Sequence, residues 1–271
     1  TSLLTLPLTY WEGYIREHAF GLSNQTVQEW ASEYAIGLGI GAVMSGILIT
    51  ALYAVIRRAG DGWWMWGTGL IVVFFAVTSA IGPVFIAPLF NDYKPMREGP
   101  LKQEILALAR ANGVPTDQVY EFDASRQSKR ISANVSGFLG TTRVSLNDNL
   151  LNRATPAEVR AVMAHEIGHY ALGHVYEMIV TISLITAVSL LVARWGFAVL
   201  HGTFGGFWGV RDIADPAGLP VLAMLLSVIG LLSTPVTNSM IRVNEAEADI
   251  FGLNAAREPD GFATIALKLA E

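Results

Sequence analysis

The sequence predicts a mainly α-helical membrane protein, with four transmembrane helices and an α+β domain inserted between the second and the third. Three observations predict it. Of 271 residues, 52% are apolar and only 15% are charged, against about 25% charged in an average soluble domain. The deficit is concentrated in four long stretches instead of being spread evenly. Between the second and third of these, residues 92–177 carry 20 of the 41 charged residues and mix helical with alternating patterns.

A helix needs about 20 apolar residues to cross a bilayer. Residues 35–56 and 62–91 are uncharged throughout. The second stretch is longer than a span requires, so its end is expected to emerge around Pro83 to Pro88. Residues 178–200 carry only Arg194, near the far end, where a long side chain can reach the interface. Residues 217–241 are uncharged, with Pro235 inside. Trp63, Trp64 and Trp66 sit where the second span would enter the interface, as aromatic belts do.

Four spans in two hairpins place residues 1–34, 92–177 and 242–271 on one side. Fourteen of the 18 Lys and Arg lie there, which puts the insert in the cytoplasm by the positive-inside rule. The division expected is 1–91 for the N-terminal segment and first hairpin, 92–177 for the insert, 178–241 for the second hairpin and 242–271 for a returning helix. The net charge of −5 argues against a nucleic-acid partner, which would need a basic face. With no cysteine, disulfides and thiolate metal sites are excluded. The chain starts at Thr1 without a signal peptide and stops inside an unfinished helix, so it reads as a fragment of a longer protein.

Within the insert, a helix is expected over 100–112, with Pro100 at its first position and Gly113 just past its end. Residues 119–122 read as a strand. Residues 131–139 and 143–146 read as two more, joined by a turn at Gly140-Thr141. Thr155, Pro156 and Glu158 then form a capping box that opens a helix.

That helix carries the chemistry. His165-Glu166-Ile167-Gly168-His169 is an H-E-x-x-H motif. Residues four apart share a helix face, so the two imidazoles can grip one Zn²⁺ while Glu166 reaches its water. A catalytic zinc takes three protein ligands and one open position. His174 is five residues beyond His169, out of phase with the 165/169 face. A better third ligand lies where the fourth span leaves the bilayer, at Glu245, Glu247 and Asp249. Acids so close to hydrocarbon are costly unless compensated, and a divalent cation would compensate them. Glu245 and Asp249 share a face and can both address the site, whereas Glu247 is about 200° away from Glu245.

With these residues in view, the sequence resembles the integral-membrane CAAX prenyl endoproteases and their bacterial relatives, which include the HtpX-type quality-control proteases. The resemblance rests on residues 18–26 (HAFGLSNQT), 86–91 (IAPLFN), Ser128 to Arg130 with Asn134, 165–174 (HEIGHYALGH) and 245–249 (EAEAD). It is closer to the prenyl-protease branch, in a bacterial homologue. It implies a zincin-like catalytic insert in which His165, His169 and Glu245 bind zinc and Glu166 is the general base. It implies that Asp249 supports the metal site from behind a ligand, and that Asn134 lies on an edge strand that pairs with substrate. It also implies a zinc metalloendopeptidase acting on membrane-associated or lipidated, prenylated CAAX, substrates. Alternatives are a quality-control protease and a catalytically impaired scaffold of the same fold. The expected location is the bacterial plasma membrane in preference to the endoplasmic reticulum. This chain departs from the family at Asn134-Val-Ser-Gly, where the eukaryotic enzymes carry a more aromatic run. The family also places a further His after the Glu motif, and no His follows His201 here.

Overall fold

A computed structural model describes residues 2–137 and 142–269. In chain order, α1 (Ser2–Tyr10) runs through a π-helical turn into the short α2 (Glu17–Ala19), and α3 (Val27–Ala59) and α4 (Trp63–Ile81) follow. The insert contains β1 (Tyr93–Pro95), α5 (Pro100–Ala111), β2 (Val119–Phe122), β3 (Ala133–Ser136), β4 (Arg143–Asn147), α6 (Asp148–Arg153) and α7 (Pro156–Ala171). Two long helices, α8 (His174–Trp208) and α9 (Leu219–Ala256), precede α10 (Pro259–Leu269).

Among the described residues, three helical stretches are long and apolar enough to cross a membrane: Val27–Leu89, His174–Trp208 and Pro216–Ala256. The first spans 63 residues, too many for a single crossing at 1.5 Å per residue. It is broken by the 3₁₀ turn Gly60–Gly62 into α3 and α4. Gly60 has φ +52°, a conformation that costs a side chain dearly but not glycine. Gly67 of α4 comes back against Leu52 of α3 and Leu190 of α8. The second span ends as its prolines require, with α4 passing at Ile81 into a π-helical turn and then a 3₁₀ turn, Ala87–Leu89. Along these helices Val73, Leu184, Leu231 and Leu232 are exposed, a surface suited to lipid rather than water. The chain is a multi-pass membrane protein.

Two compact units divide the chain. The first comprises Thr1–Gly39, Ser79–Leu172 and Glu245–Glu271, and the second Ile40–Thr78 and Gly173–Asn244. In the second unit Leu52, Ile56, Trp63, Leu190, Ala193 and Leu222 form a small core between the apolar helices.

The first unit holds a four-stranded sheet of order β1-β2-β4-β3. β2 and β4 are parallel, while β1 and β3 pair antiparallel as its edges. β1 is a strand that the pattern does not announce, being three residues long and ending in proline. The ladder of β3 covers Ala133–Ser136 of the expected 131–139, of which 138–139 lie outside the described residues. The preceding residues are held differently, with Ser132 N–H donating to the Asn147 side chain and Asn147 N–H to Ser132 O. The expected turn at Gly140-Thr141 lies outside the described residues. The core of this unit joins Ile105, Val119, Val144, Leu146, Leu150, Val159, Met163 and Ile167, with Ile265 of α10 packed in.

Candidate metal centre

The helix that presents the motif is fixed at its start. Thr155 Oγ1 accepts from Glu158 N–H at 3.4 Å, and the Glu158 carboxylate accepts from Thr155 N–H at 2.7 Å. The same carboxylate receives Lys268 of α10 at 2.7 Å. The Lys268 bond chiefly holds Glu158 well below its ordinary value, at about 2, against the opposing effect of burial. Ion pairs from Arg160 to Glu258 and to Glu104 add further ties between α7 and its neighbours.

Further along α7, helix α9 approaches closely. A Cβ on Gly168 would meet Phe251 Cδ1 at 3.0 Å, and one on Gly252 would meet His165 N at 3.0 Å. These two glycines let the backbones come near enough for the acids of α9 to reach the histidines of α7.

One nitrogen from each of His165 and His169 and one oxygen from Glu245 lie within 4.8 Å of one another. His165 Nε2 and His169 Nε2 are 3.2 Å apart. Glu245 Oε2 is 3.3 Å from His165 Nε2, and Oε1 is 3.7 Å from His169 Nε2. A tetrahedral ion with bonds near 2.0 Å needs donors roughly 3.3 Å apart. The triangle therefore fits a divalent metal, and its donor types, two imidazoles and a carboxylate, suit one that leaves a fourth position open.

Asp249 stands behind this group. Its Oδ1 is 2.8 Å from His165 Nδ1. The imidazole donates its Nδ1–H there, which leaves Nε2 as the nitrogen facing His169 and Glu245. Glu247 takes the other side of α9, where it lines a depression with Asn112, Leu172 and Phe251. His174 opens α8 after the left-handed Gly173 (φ +75°) and is not one of the converging donors.

Glu166 lines a cavity of about 420 Å³ together with His165, Glu245 and Asp249. Burial, with the Glu245 charge adding to it, raises the Glu166 carboxyl to about 7. The opposite wall comes from Phe262, Ile265, Ala266 and Leu269 of α10, and the rim from Ile131, Ser132 and Ala133. Asn134 is the next residue along this edge strand, and its Oδ1 accepts from Ser136 Oγ at 3.1 Å. The α10 wall escapes a reading of motifs, since nothing in GFATIALKL except its amphipathic spacing marks it as part of a site.

Comparison with known proteins agrees with this architecture. Residues 95–270 match the family described as Peptidase family M48, and residues 1–92 that described as CAAX prenyl protease N-terminal, five membrane helices. The chain is 34% identical over 260 residues to "Uncharacterized metalloprotease YhfN" of Bacillus subtilis, covering 93% of this chain and 59% of that protein. It is 33% identical over 266 residues to "CAAX prenyl protease 1" of Saccharomyces cerevisiae, covering 93% and 58% respectively. The crystal structure of S. mikatae Ste24p superposes with a TM-score of 0.81 at 26% identity, covering 97% of this chain and 64% of that one. The chain thus spans about three fifths of the length of these relatives. The H-E-x-x-H helix, the returning carboxylate helix and the apolar helices are those of a known group, and the chain belongs to peptidase family M48.

Proposed function

We propose that this chain is the core of a membrane-embedded zinc metalloendopeptidase that cleaves peptide bonds in membrane-associated or lipidated proteins, prenylated CAAX substrates among them. The convergence of His165, His169 and Glu245 within 4.8 Å is the observation that carries the proposal. The names of the yeast and slime-mould relatives, CAAX prenyl protease 1 and its homolog, support the substrate class.

In this reading His165, His169 and Glu245 hold zinc, and Asp249 fixes the His165 tautomer. When bound, the metal acidifies a water and polarises the scissile carbonyl. Glu166 takes the proton from the attacking water and delivers it to the leaving amine nitrogen. Its buried setting favours proton transfer near neutral pH, because the carboxyl is a better base than an exposed one. The peptide lies extended along the open edge of β3, pairing with the main chain around Ile131 and Ala133, with the Asn134 amide beside it. Residues 92–177 act as the catalytic insert between the two helical hairpins, and 242–271 returns the third ligand to it. The charge distribution favours the cytoplasmic face of a bacterial plasma membrane.

The test is Glu166→Gln in the full-length protein. Zinc content stays at the wild-type level, and hydrolysis of a reporter peptide falls by roughly 10²–10⁴-fold. Turnover equal to wild type would remove Glu166 from the chemistry.

A further inference from the structure

The second span ends in a break of its hydrogen-bond ladder that one side chain of the sheet repairs. In the π-helical turn Gly82–Ile86, Ala87 N–H donates to Gly82 O, five residues back. The next carbonyl in this series is that of Pro83, whose partner would be the N–H of residue 88. Residue 88 is proline and has none. A carbonyl left unpaired where a helix leaves a bilayer is costly. Arg143 of β4 supplies the donor instead, with Nη1 3.0 Å from Pro83 O.

Arg143 is itself held by aromatic rings. Its guanidinium carbon lies 3.9 Å from the centre of the Tyr93 ring and 4.1 Å from that of Tyr120, one on β1 and the other on β2. Burial pulls the guanidinium below its ordinary value, and the two tyrosines oppose this. A planar cation between two ring faces has little freedom, and its fork still points a donor at Pro83. Residues 83–93 connect the span to the sheet, and Arg143 touches both ends of this connection. Residues 90–92 are held separately. Phe90 O accepts from Arg126 and Gln127, and Asp92 N–H donates to Asp123. Without Arg143 the sheet would keep residues 90–92 and lose its bond to Pro83.

Arg143 also stands at the end of the ladder that carries the proposed substrate edge. It pairs with Ser136 of β3, one residue beyond Val135. The broken end of the second span and the end of the peptide-pairing strand therefore meet at one side chain. A lipidated substrate has to satisfy both places at once, with its lipid in the bilayer and its peptide along β3. We propose that Arg143 is a positioning residue, which ties the broken end of the second span to the sheet and so sets where a substrate anchored in the bilayer meets β3. The proposal rests on the metallopeptidase reading and deepens it. Arg143 touches neither metal nor peptide, and acts through Pro83 and the strands it joins.

The experiment uses the full-length protein in phosphatidylcholine nanodiscs and two peptides of one sequence, with and without a farnesyl group on a cysteine. Arg143→Met keeps the side-chain length and removes the donor and the charge. For the farnesylated peptide kcat/KM falls about tenfold, the worth of one charge-assisted hydrogen bond, and the loss lies in KM. Its kcat, the zinc content and the cleavage of the bare peptide stay at wild-type values. An equal loss for both peptides, or no loss for either, would overturn the proposal. Pro88→Ala separates positioning from simple repair, because it returns an N–H to the helix without linking the helix to the sheet. In Arg143→Met/Pro88→Ala thermal stability recovers while the farnesylated peptide stays poor. Recovery of its KM as well would show that Arg143 only satisfies a carbonyl, and would overturn the proposal. Should Arg143→Met not fold, Arg143→Lys, which keeps the charge but not the planar fork, carries the same comparison. A photo-crosslinking residue in each peptide reads its place on Glu166→Gln without turnover. There Arg143→Met loses the crosslink from the farnesylated peptide to β3 and keeps that from the bare one. If wild type cleaves neither peptide, the metallopeptidase reading fails, whereas the crosslinks still decide the role of Arg143.

Discussion

The Nδ1 atom of His165 lies 2.8 Å from Oδ1 of Asp249, two residues 84 positions apart in sequence. One hydrogen bond thus connects the motif helix to the helix that returns from the membrane. In the proposed site it would set the imidazole's orientation and the nitrogen offered to a metal. Asp249→Ala is expected to weaken zinc binding by roughly 10–100-fold without abolishing it, since no ligand atom is lost. Chelator competition on the purified protein measures this. Affinity equal to wild type would mean that His165 is oriented by packing alone.

Glu245 and Glu247 provide a matched pair, two residues apart on α9. Glu245 sits 3.3 Å from His165 Nε2, while Glu247 lines the far side of the helix. Glu245→Ala is expected to strip the metal, and Glu247→Ala to retain it. Metal analysis of the two variants settles the assignment, and the reverse pattern would refute it.

Helical phase explains why this much of the site is readable in the sequence. Positions 165 and 169 must share a face of any helix containing them, and so must 245 and 249. The capping box at Thr155 fixes where the first helix begins. The rest depends on which elements cross. Gly168 and Gly252 look like ordinary helix glycines until Phe251 and the His165 backbone are found against them. The α10 wall and the strand β1 are similarly silent, one amphipathic like many surface helices and the other too short to show alternation. The apolar stretches were legible as spans because their length is a physical requirement. The break at Gly60–Gly62 was legible as the gap between two such stretches.

Asn134 tests the proposal that substrate pairs with the edge of β3. Its main chain pairs inward with Ser145, so only its side chain can reach a peptide on the outer edge. Asn134→Ala is expected to lower kcat/KM several-fold to about tenfold, the worth of one hydrogen bond at about 0.5–1.5 kcal/mol. Metal content should not change. Unchanged efficiency in a folded variant would leave substrate contact to the backbone of Ile131 and Ala133.

The Glu158–Lys268 pair makes the α10 wall sensitive to acid. Glu158 is 3% exposed. Its carboxyl is depressed from an ordinary 4.5 to about 2, first by the Lys268 hydrogen bond, with burial opposing and Thr155 N–H assisting. A depressed carboxylate contributes stability that is complete above its unfolded value and is lost as pH falls through its folded one. The docking of α10 on α7 should therefore hold at pH 5 and weaken progressively between about 4.5 and 2. Lys268→Met removes the main cause of the depression and leaves a buried carboxylate short of one charged partner. That should cost about 1.5–3 kcal/mol at neutral pH and move the acid loss to higher pH. Thermal unfolding of the detergent-solubilised protein across pH 3–7 reads both effects. Wild type should be flat above pH 5, with the variant lower throughout and declining earlier. Superimposable curves for the two proteins would show that α10 is held by Ile265 and the apolar contacts around it, and that the ion pair is incidental.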